Sequence, residues 1–234
     1  MDKYNVYQDM SRRTGGEIYL GIVGPVRTGK STFIKRFMEL VVIPEMSDDN
    51  EKVRTIDELP QSADGKTIMT TEPKFIPKEA AVIHFSNQET GKIRLIDCVG
   101  YLVPEAVGAI EEEKERMVKT PWSEEEIPFS KAAEIGTSKV IREHSNLGLI
   151  ITTDGSFGDI AAANFEEALQ KTVMECEKAG KPFLILVNTS RPDSQETIQF
   201  KKRLEAQYGK TVMAVNCKTC LLYTSPSPRD VEES

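Results

Sequence analysis

At 234 residues the chain can bury a full core as one large or two small domains, and 39% hydrophobic with 29% charged residues is a globular balance. A net charge of −7 leaves no overall basic footprint and argues against nucleic acid as a partner. No apolar run is long enough to cross a bilayer and the charged N-terminus does not read as a signal peptide, so a cytoplasmic protein is expected, touching membrane only peripherally.

Ile18 to Val23 is an apolar run of strand character, and Thr32 to Leu40 places apolar residues at helical spacing. Pro44 to Glu79 is polar, proline-containing and poorly periodic, and reads as irregular. Ala81 to Ser86 and Lys92 to Asp97 then read as two strands joined by a turn at Asn87 to Gly91, hence an antiparallel hairpin. A second irregular, charged segment runs from Tyr101 to about Phe129, with Glu111-Glu112-Glu113 expected on a solvated helix face. Ser130 to His144, Ala161 to Ala179 and Asp193 to Tyr208 have helical spacing. They alternate with strands at Leu147 to Thr152, Phe183 to Val187 and Thr211 to Asn216. The predicted fold is therefore α/β: a mostly parallel sheet with one antiparallel hairpin strand and helices on both faces.

Between the first strand and first helix stands Gly24-Pro25-Val26-Arg27-Thr28-Gly29-Lys30-Ser31, which is G-x-x-x-x-G-K-[ST] in the strand–loop–helix context that motif requires. Backbone N–H groups in such a loop form a concave nest at a helix N-terminus, where phosphate oxygens meet donors and a favourable dipole. Gly24 and Gly29 permit backbone shapes and close approaches that a side chain would obstruct. Gly24 to Thr32 are thus the expected phosphate-binding residues. Lys30 would reach the β and γ phosphates, and the Ser31 hydroxyl would ligate Mg²⁺. A nucleoside triphosphate is the predicted ligand, and a P-loop NTPase of GTPase-like (TRAFAC-type) topology is the predicted fold.

Asp97 ends an apolar strand and opens Asp97-Cys98-Val99-Gly100, a D-x-x-G in which a strand-end carboxylate holds Mg²⁺. Thr70 and Thr71 precede the hairpin, and either would place a hydroxyl on Mg²⁺ and a backbone N–H toward the γ-phosphate. Two departures weigh against GTP. After the fifth predicted strand the chain reads Asn188-Thr189-Ser190-Arg191, with Arg where N-K-x-D carries its guanine-pairing Asp. Tyr101 also follows D-x-x-G where many GTPases have a water-positioning Gln. Motifs alone leave ATP and GTP both open. Three roles stay open with them: a hydrolase, a GTPase-like switch, and a nucleotide-bound scaffold without turnover. Cys217 and Cys220 form a C-x-x-C without a second ligand pair, so no zinc or redox site is expected. His84 and His144 read as a sheet and a helix-end residue, and Trp122 as a loop anchor.

Several segments together are similar to the stage IV sporulation protein A family, the spore-coat morphogenetic ATPases of endospore-forming Firmicutes. They include Arg13 to Gly21, the phosphate loop, Phe37 to Pro44, Asp57 to Ser62, Lys66 to Phe75, Leu95 to Tyr101, Ala133 to Thr137 and Ile151 to Gly155. The resemblance implies ATP with Mg²⁺ rather than GTP, and hydrolysis that drives self-assembly into a homopolymer. That polymer would form the basement layer of the coat, in the mother-cell cytoplasm at the outer forespore surface. A small amphipathic forespore-membrane protein and other spore-coat proteins are the implied partners. The resemblance also implies that Lys30 is the phosphate-loop lysine, Asp97 the Mg²⁺-linked carboxylate, and Thr70 and Thr71 the γ-phosphate-sensing threonines. It covers residues 1–218, expected to be one ATPase domain, without the family's middle and C-terminal domains. Cys220 to Asp230 does not fit the family and is similar to a peptide produced by translating sequencing-adapter DNA. The expectation is that native coding ends near Lys218 and that 219–234 is a disordered tail.

Overall fold

The structure, a computed structural model, describes residues 16–60, 72–84, 90–104, 110–111, 114–219 and 221–223. Strand β1 (Glu17–Val23) leads into helix α1 (Lys30–Phe37), which continues as a π-helical turn through Met38–Val42. Helix α2 (Asp49–Glu58) follows, then strands β2 (Lys74–His84) and β3 (Thr90–Asp97), paired antiparallel as expected. Two small hairpins come next, β4 (Ile110–Glu111) with β5 (Lys114–Glu115), and β6 (Met117–Thr120) with β7 (Ser123–Pro128). The remainder alternates: α3 (Phe129–Lys139), β8 (Leu147–Thr153), α4 (Glu166–Lys178), β9 (Phe183–Asn188), α5 (Gln195–Tyr208), β10 (Val212–Asn216) and β11 (Leu221–Tyr223).

Seven strands form one sheet in the order β11-β10-β9-β8-β1-β3-β2. From β10 to β3 all pairs are parallel, while β2 and β11 run antiparallel at the two edges. Consecutive strand residues point to opposite faces, so each central strand needs apolar residues throughout. One face collects Leu20, Ile22, Leu95, Leu149, Ile151 and Leu186 under Phe33, Ile34 and Met38 of the first helix. The other collects Val23, Ile96, Ile150, Ile185 and Val187 under Val140, Leu169, Val173 and Leu204. Helices therefore cover both faces, as the alternation of elements required. β1 lies between β3 and β8, so the chain order reverses there and opens a crevice at its carboxyl end, where such sheets bind ligands.

Four local expectations are corrected. The stretch expected to be irregular before Glu79 contains α2, started by Asp48, whose carboxylate accepts from Asn50 N and Glu51 N. β2 begins at Lys74, well before Ala81, because Ile76 and Ala81 fill the same buried face across a bulge. The charged segment after Tyr101 holds two hairpins, and Glu111 lies in a strand rather than on a helix. In the expected tail, Leu221–Tyr223 pair with Ala214–Asn216, since the outer edge of β10 offers backbone groups that an extended segment satisfies. Cys220 and residues 224–234 lie outside the described residues.

Gly21 marks a tight approach between β1 and the π-helical turn Val140–His144 with its following Ser145, which continue α3. A Cβ there would sit 2.8 Å from Ser145 Cβ and 3.1 Å from Val140 Cγ1. Gly21→Val is expected to cost about 1–3 kcal/mol of stability through overpacking, read from the urea midpoint. An unchanged midpoint would contradict this packing.

Candidate phosphate-binding site

The turn after β1 has the shape its sequence implied. Gly24 adopts φ 130° and Gly29 φ 94°, and a Cβ at Gly24 would lie 2.3 Å from Ile151 O. Arg27, exposed at the tip, holds φ 62°, a left-handed conformation that costs a non-glycine residue on the order of 1–3 kcal/mol. Thr28 stiffens the loop by donating its hydroxyl to Pro25 O at 3.0 Å. Gly29 precedes α1 and offers no side-chain cap, so the leading N–H groups of that helix are left for an outside acceptor. Val26 N–H is not among them: it donates to Tyr101 O at 2.9 Å, and Pro25 and Tyr101 form a parallel bridge.

Lys30 lies buried beneath the loop, its ammonium donating to Pro25 O at 2.6 Å and Gly24 O at 3.4 Å. Burial pulls its pKa below the ordinary lysine range, opposed by the negative charge of Asp97. Ser31 Oγ donates to Asp97 Oδ2 at 2.8 Å, joining the first turn of α1 to the end of β3. Burial raises the Asp97 carboxyl above the usual carboxylate value, against the Ser31 hydrogen bond and the Lys30 charge. Oδ1 of Asp97 is buried with no hydrogen-bond partner. The Ser31 hydroxyl and the Asp97 carboxylate, whose Oδ1 is orphaned, form a hard-oxygen pair that suits Mg²⁺. Gly100 (φ 93°) packs so closely that a Cβ would meet Gly24 O at 2.1 Å and Lys30 Nζ at 2.7 Å.

The fold thus brings Asp97, distant in sequence, against the adjacent pair Lys30 and Ser31, with Gly24 to Thr32 forming the cradle and first helical turn. Thr70 and Thr71 lie outside the described residues. Sequence reading missed the part played by Asn188, which donates from Nδ2 to Thr28 O at 3.0 Å and accepts from Cys217 N at 3.0 Å. Its position at the head of the incomplete N-K-x-D was the available signal. It missed the Tyr101 tether too, since a backbone carbonyl leaves no trace in side-chain identity. Cys98, Cys176 and Cys217 are buried and form no disulfide with one another, and no metal-binding cluster of His, Cys, Asp or Glu occurs among the described residues.

Residues 1–222 match the family described as Stage IV sporulation protein A, ATPase domain. The chain belongs to this family. Stage IV sporulation protein A of Bacillus subtilis (strain 168) is 52% identical over 219 residues, a match covering 94% of this chain and 44% of that protein. The Bacillus anthracis protein of that name is 51% identical over 94% of this chain and 44% of its own length. That of Clostridioides difficile (strain 630) is 48% identical over 91% and 43%. The chain spans less than half the length of these curated relatives. Among solved structures, Era in complex with MgGDPNP and a piece of 16S ribosomal RNA aligns at 12% identity with TM-score 0.47, over 92% of this chain and 60% of that one. A variant of SsGBP aligns at 14% identity with TM-score 0.46, over 91% and 53%. As a member of the Stage IV sporulation protein A family, the chain is a nucleotide-hydrolysing P-loop domain of a sporulation protein. No helix among the described residues is long and apolar enough to cross a membrane.

Proposed function

We propose that this chain binds ATP with Mg²⁺, hydrolyses its β–γ anhydride, and uses that turnover to drive self-assembly into the basement layer of the spore coat around the forespore. The observation that carries the chemistry is the Ser31–Asp97 hydrogen bond beside a buried Lys30. The family match and the relatives' names support the sporulation role, and recruitment to the forespore by a small amphipathic membrane protein completes the reading.

The residues divide the work. The N–H groups opening α1 and the Lys30 ammonium would hold the β and γ oxygens, Lys30 exchanging the carbonyls of Pro25 and Gly24 for phosphate. Ser31 and Asp97 would hold the magnesium, which when bound neutralises charge on the bridging and leaving oxygens. A water oxygen forms the new bond to the γ-phosphorus as the bond to the β–γ bridging oxygen breaks. ADP leaves, and the water's proton passes to the released phosphate or solvent. Tyr101 cannot orient that water as a glutamine amide would, because its side chain is turned into a buried cluster with Val26, Val103, Ile160 and Phe165. Slow turnover, or water alignment from another group, follows.

Competition of labelled ATP by unlabelled GTP, with phosphate release and sedimentation on the same preparation, tests the proposal. ATP turnover is expected, with sedimentable polymer appearing only when hydrolysis proceeds and GTP competing no better than ATP. GTP displacing ATP tenfold better, or polymer forming equally without turnover, would overturn it. A GTP-driven switch is the second reading. It draws support from Asn188, which ties Thr28 to Cys217 even though no carboxylate stands at position 191.

A further inference from the structure

Two described walls of the cradle bound the space left for the nucleoside of a seated nucleotide. On the β3 side, Gly100 is packed against Gly24 O and Lys30 Nζ, and Asp97 and Ser31 occupy the metal end. On the opposite side, Gly29 abuts Asn188 Nδ2 and Cys217 Cβ, at the carboxyl ends of β9 and β10. Beyond Cys217 lie Lys218 and, facing it from the loop after β8, the ring of Phe157. The Lys218 ammonium stands 5.6 Å from the centroid of that ring. Phe157 is half-buried, yet it belongs to none of the three buried clusters of the core.

Both partners are held from outside. Phe157 is flanked by Gly155 and Gly158, with φ 79° and 93°. Its loop is fixed by Ser156 N–H donating to Asp154 Oδ1 at 3.0 Å and by Ser190 N–H donating to Ser156 Oγ at 2.8 Å. Lys218 is fixed through its backbone, since Arg36 Nε on α1 donates to Lys218 O at 2.7 Å and Lys218 N–H donates to Asn216 Oδ1 at 3.0 Å. An aromatic face with a cation poised over it, both preset, is a surface on which a flat base stacks at little ordering cost. Edge reading of guanine, by contrast, needs a free carboxylate. Asp154 is committed, accepting the Thr189 hydroxyl at 2.6 Å besides Ser156 N–H, and position 191 is arginine.

We propose that the purine is held by stacking on Phe157 beside Lys218, in place of a carboxylate that reads the base edge. The proposal rests on the nucleotide reading above and names the subsite for the base. Stacking is tolerant of base identity, so it contributes to purine affinity as a whole.

The test is titration calorimetry on the purified chain with Mg–ATP, Mg–GTP and inorganic tripolyphosphate, comparing the parent with Phe157→Ala, Phe157→Trp and Lys218→Met. Phe157→Ala is expected to weaken ATP and GTP alike by about tenfold while leaving tripolyphosphate unchanged. Phe157→Trp is expected to keep ATP affinity, and Lys218→Met to weaken it by a smaller factor. Unchanged ATP affinity in Phe157→Ala, or an equal loss for tripolyphosphate, would overturn the proposal. So would parent protein binding tripolyphosphate as tightly as ATP. Parent protein that binds neither would overturn the nucleotide reading and this proposal with it.

Discussion

Lys30→Ala is expected to abolish detectable ATP binding, weakening it by at least about a hundredfold, the equivalent of losing a charge-assisted hydrogen bond inside a water-poor site. The ammonium is already in place beneath the loop, resting on the carbonyls of Pro25 and Gly24, so its charge reaches a phosphate with little rearrangement. Its burial costs the nucleotide-free protein stability, because desolvation depresses the folded-state pKa below the unfolded value. Such a group binds protons better when unfolded, so its penalty is present at neutral pH and is relieved only as pH rises toward the lysine range. Removing it therefore sacrifices ligand affinity without unfolding the domain. Fluorescent-ATP titration beside far-ultraviolet circular dichroism separates the two effects, and retained ATP affinity in a folded variant would refute the assigned role.

Asp97→Asn is expected to lower Mg²⁺-dependent ATP turnover by about 10–100-fold while leaving the nucleotide-free fold as stable as the parent or more so. The substitution keeps an oxygen for the Ser31 hydroxyl but removes the anion whose Oδ1 has no hydrogen-bond partner. Burial raises the Asp97 pKa above its unfolded value, so its contribution favours the folded state at low pH and is lost as pH rises through the folded value. The parent's melting temperature, measured without magnesium, is accordingly expected to fall as pH rises above the ordinary carboxylate range by more than that of Asp97→Asn. A variant with parental turnover would remove Asp97 from the site. One with an unaltered pH profile would show that its carboxylate is better solvated than its burial implies.

The parallel sheet and the phosphate loop were legible because each depends on local pattern. Strands buried on both faces must be apolar at every position, as Ile22-Val23 and Ile150-Ile151 are, and the loop needs glycine where φ is positive. The hairpins after Tyr101 were not legible, since β7 reads Ser123-Glu124-Glu125-Glu126 and makes no apolar alternation to find. Helix α2 was hidden for a similar reason, presenting Val53 and Ile56 to solvent rather than a buried stripe. Its start was nonetheless written in Asp48 and Glu51. In the site, Lys30, Ser31 and Asp97 followed from motif spacing, whereas contacts through the backbone or across long separations, such as Tyr101 O to Val26 and Asn188 to Cys217, did not.

Asn188 spans the molecule's whole assembly order: its amide reaches back to Thr28 near the start of the chain and forward to Cys217 beyond the final parallel strand. While a ribosome is still extending the polypeptide, Thr28 emerges long before the segment that braces it from the far side. A nascent fragment stopping short of β10 therefore carries the signature motif without the far half of the clasp that braces it.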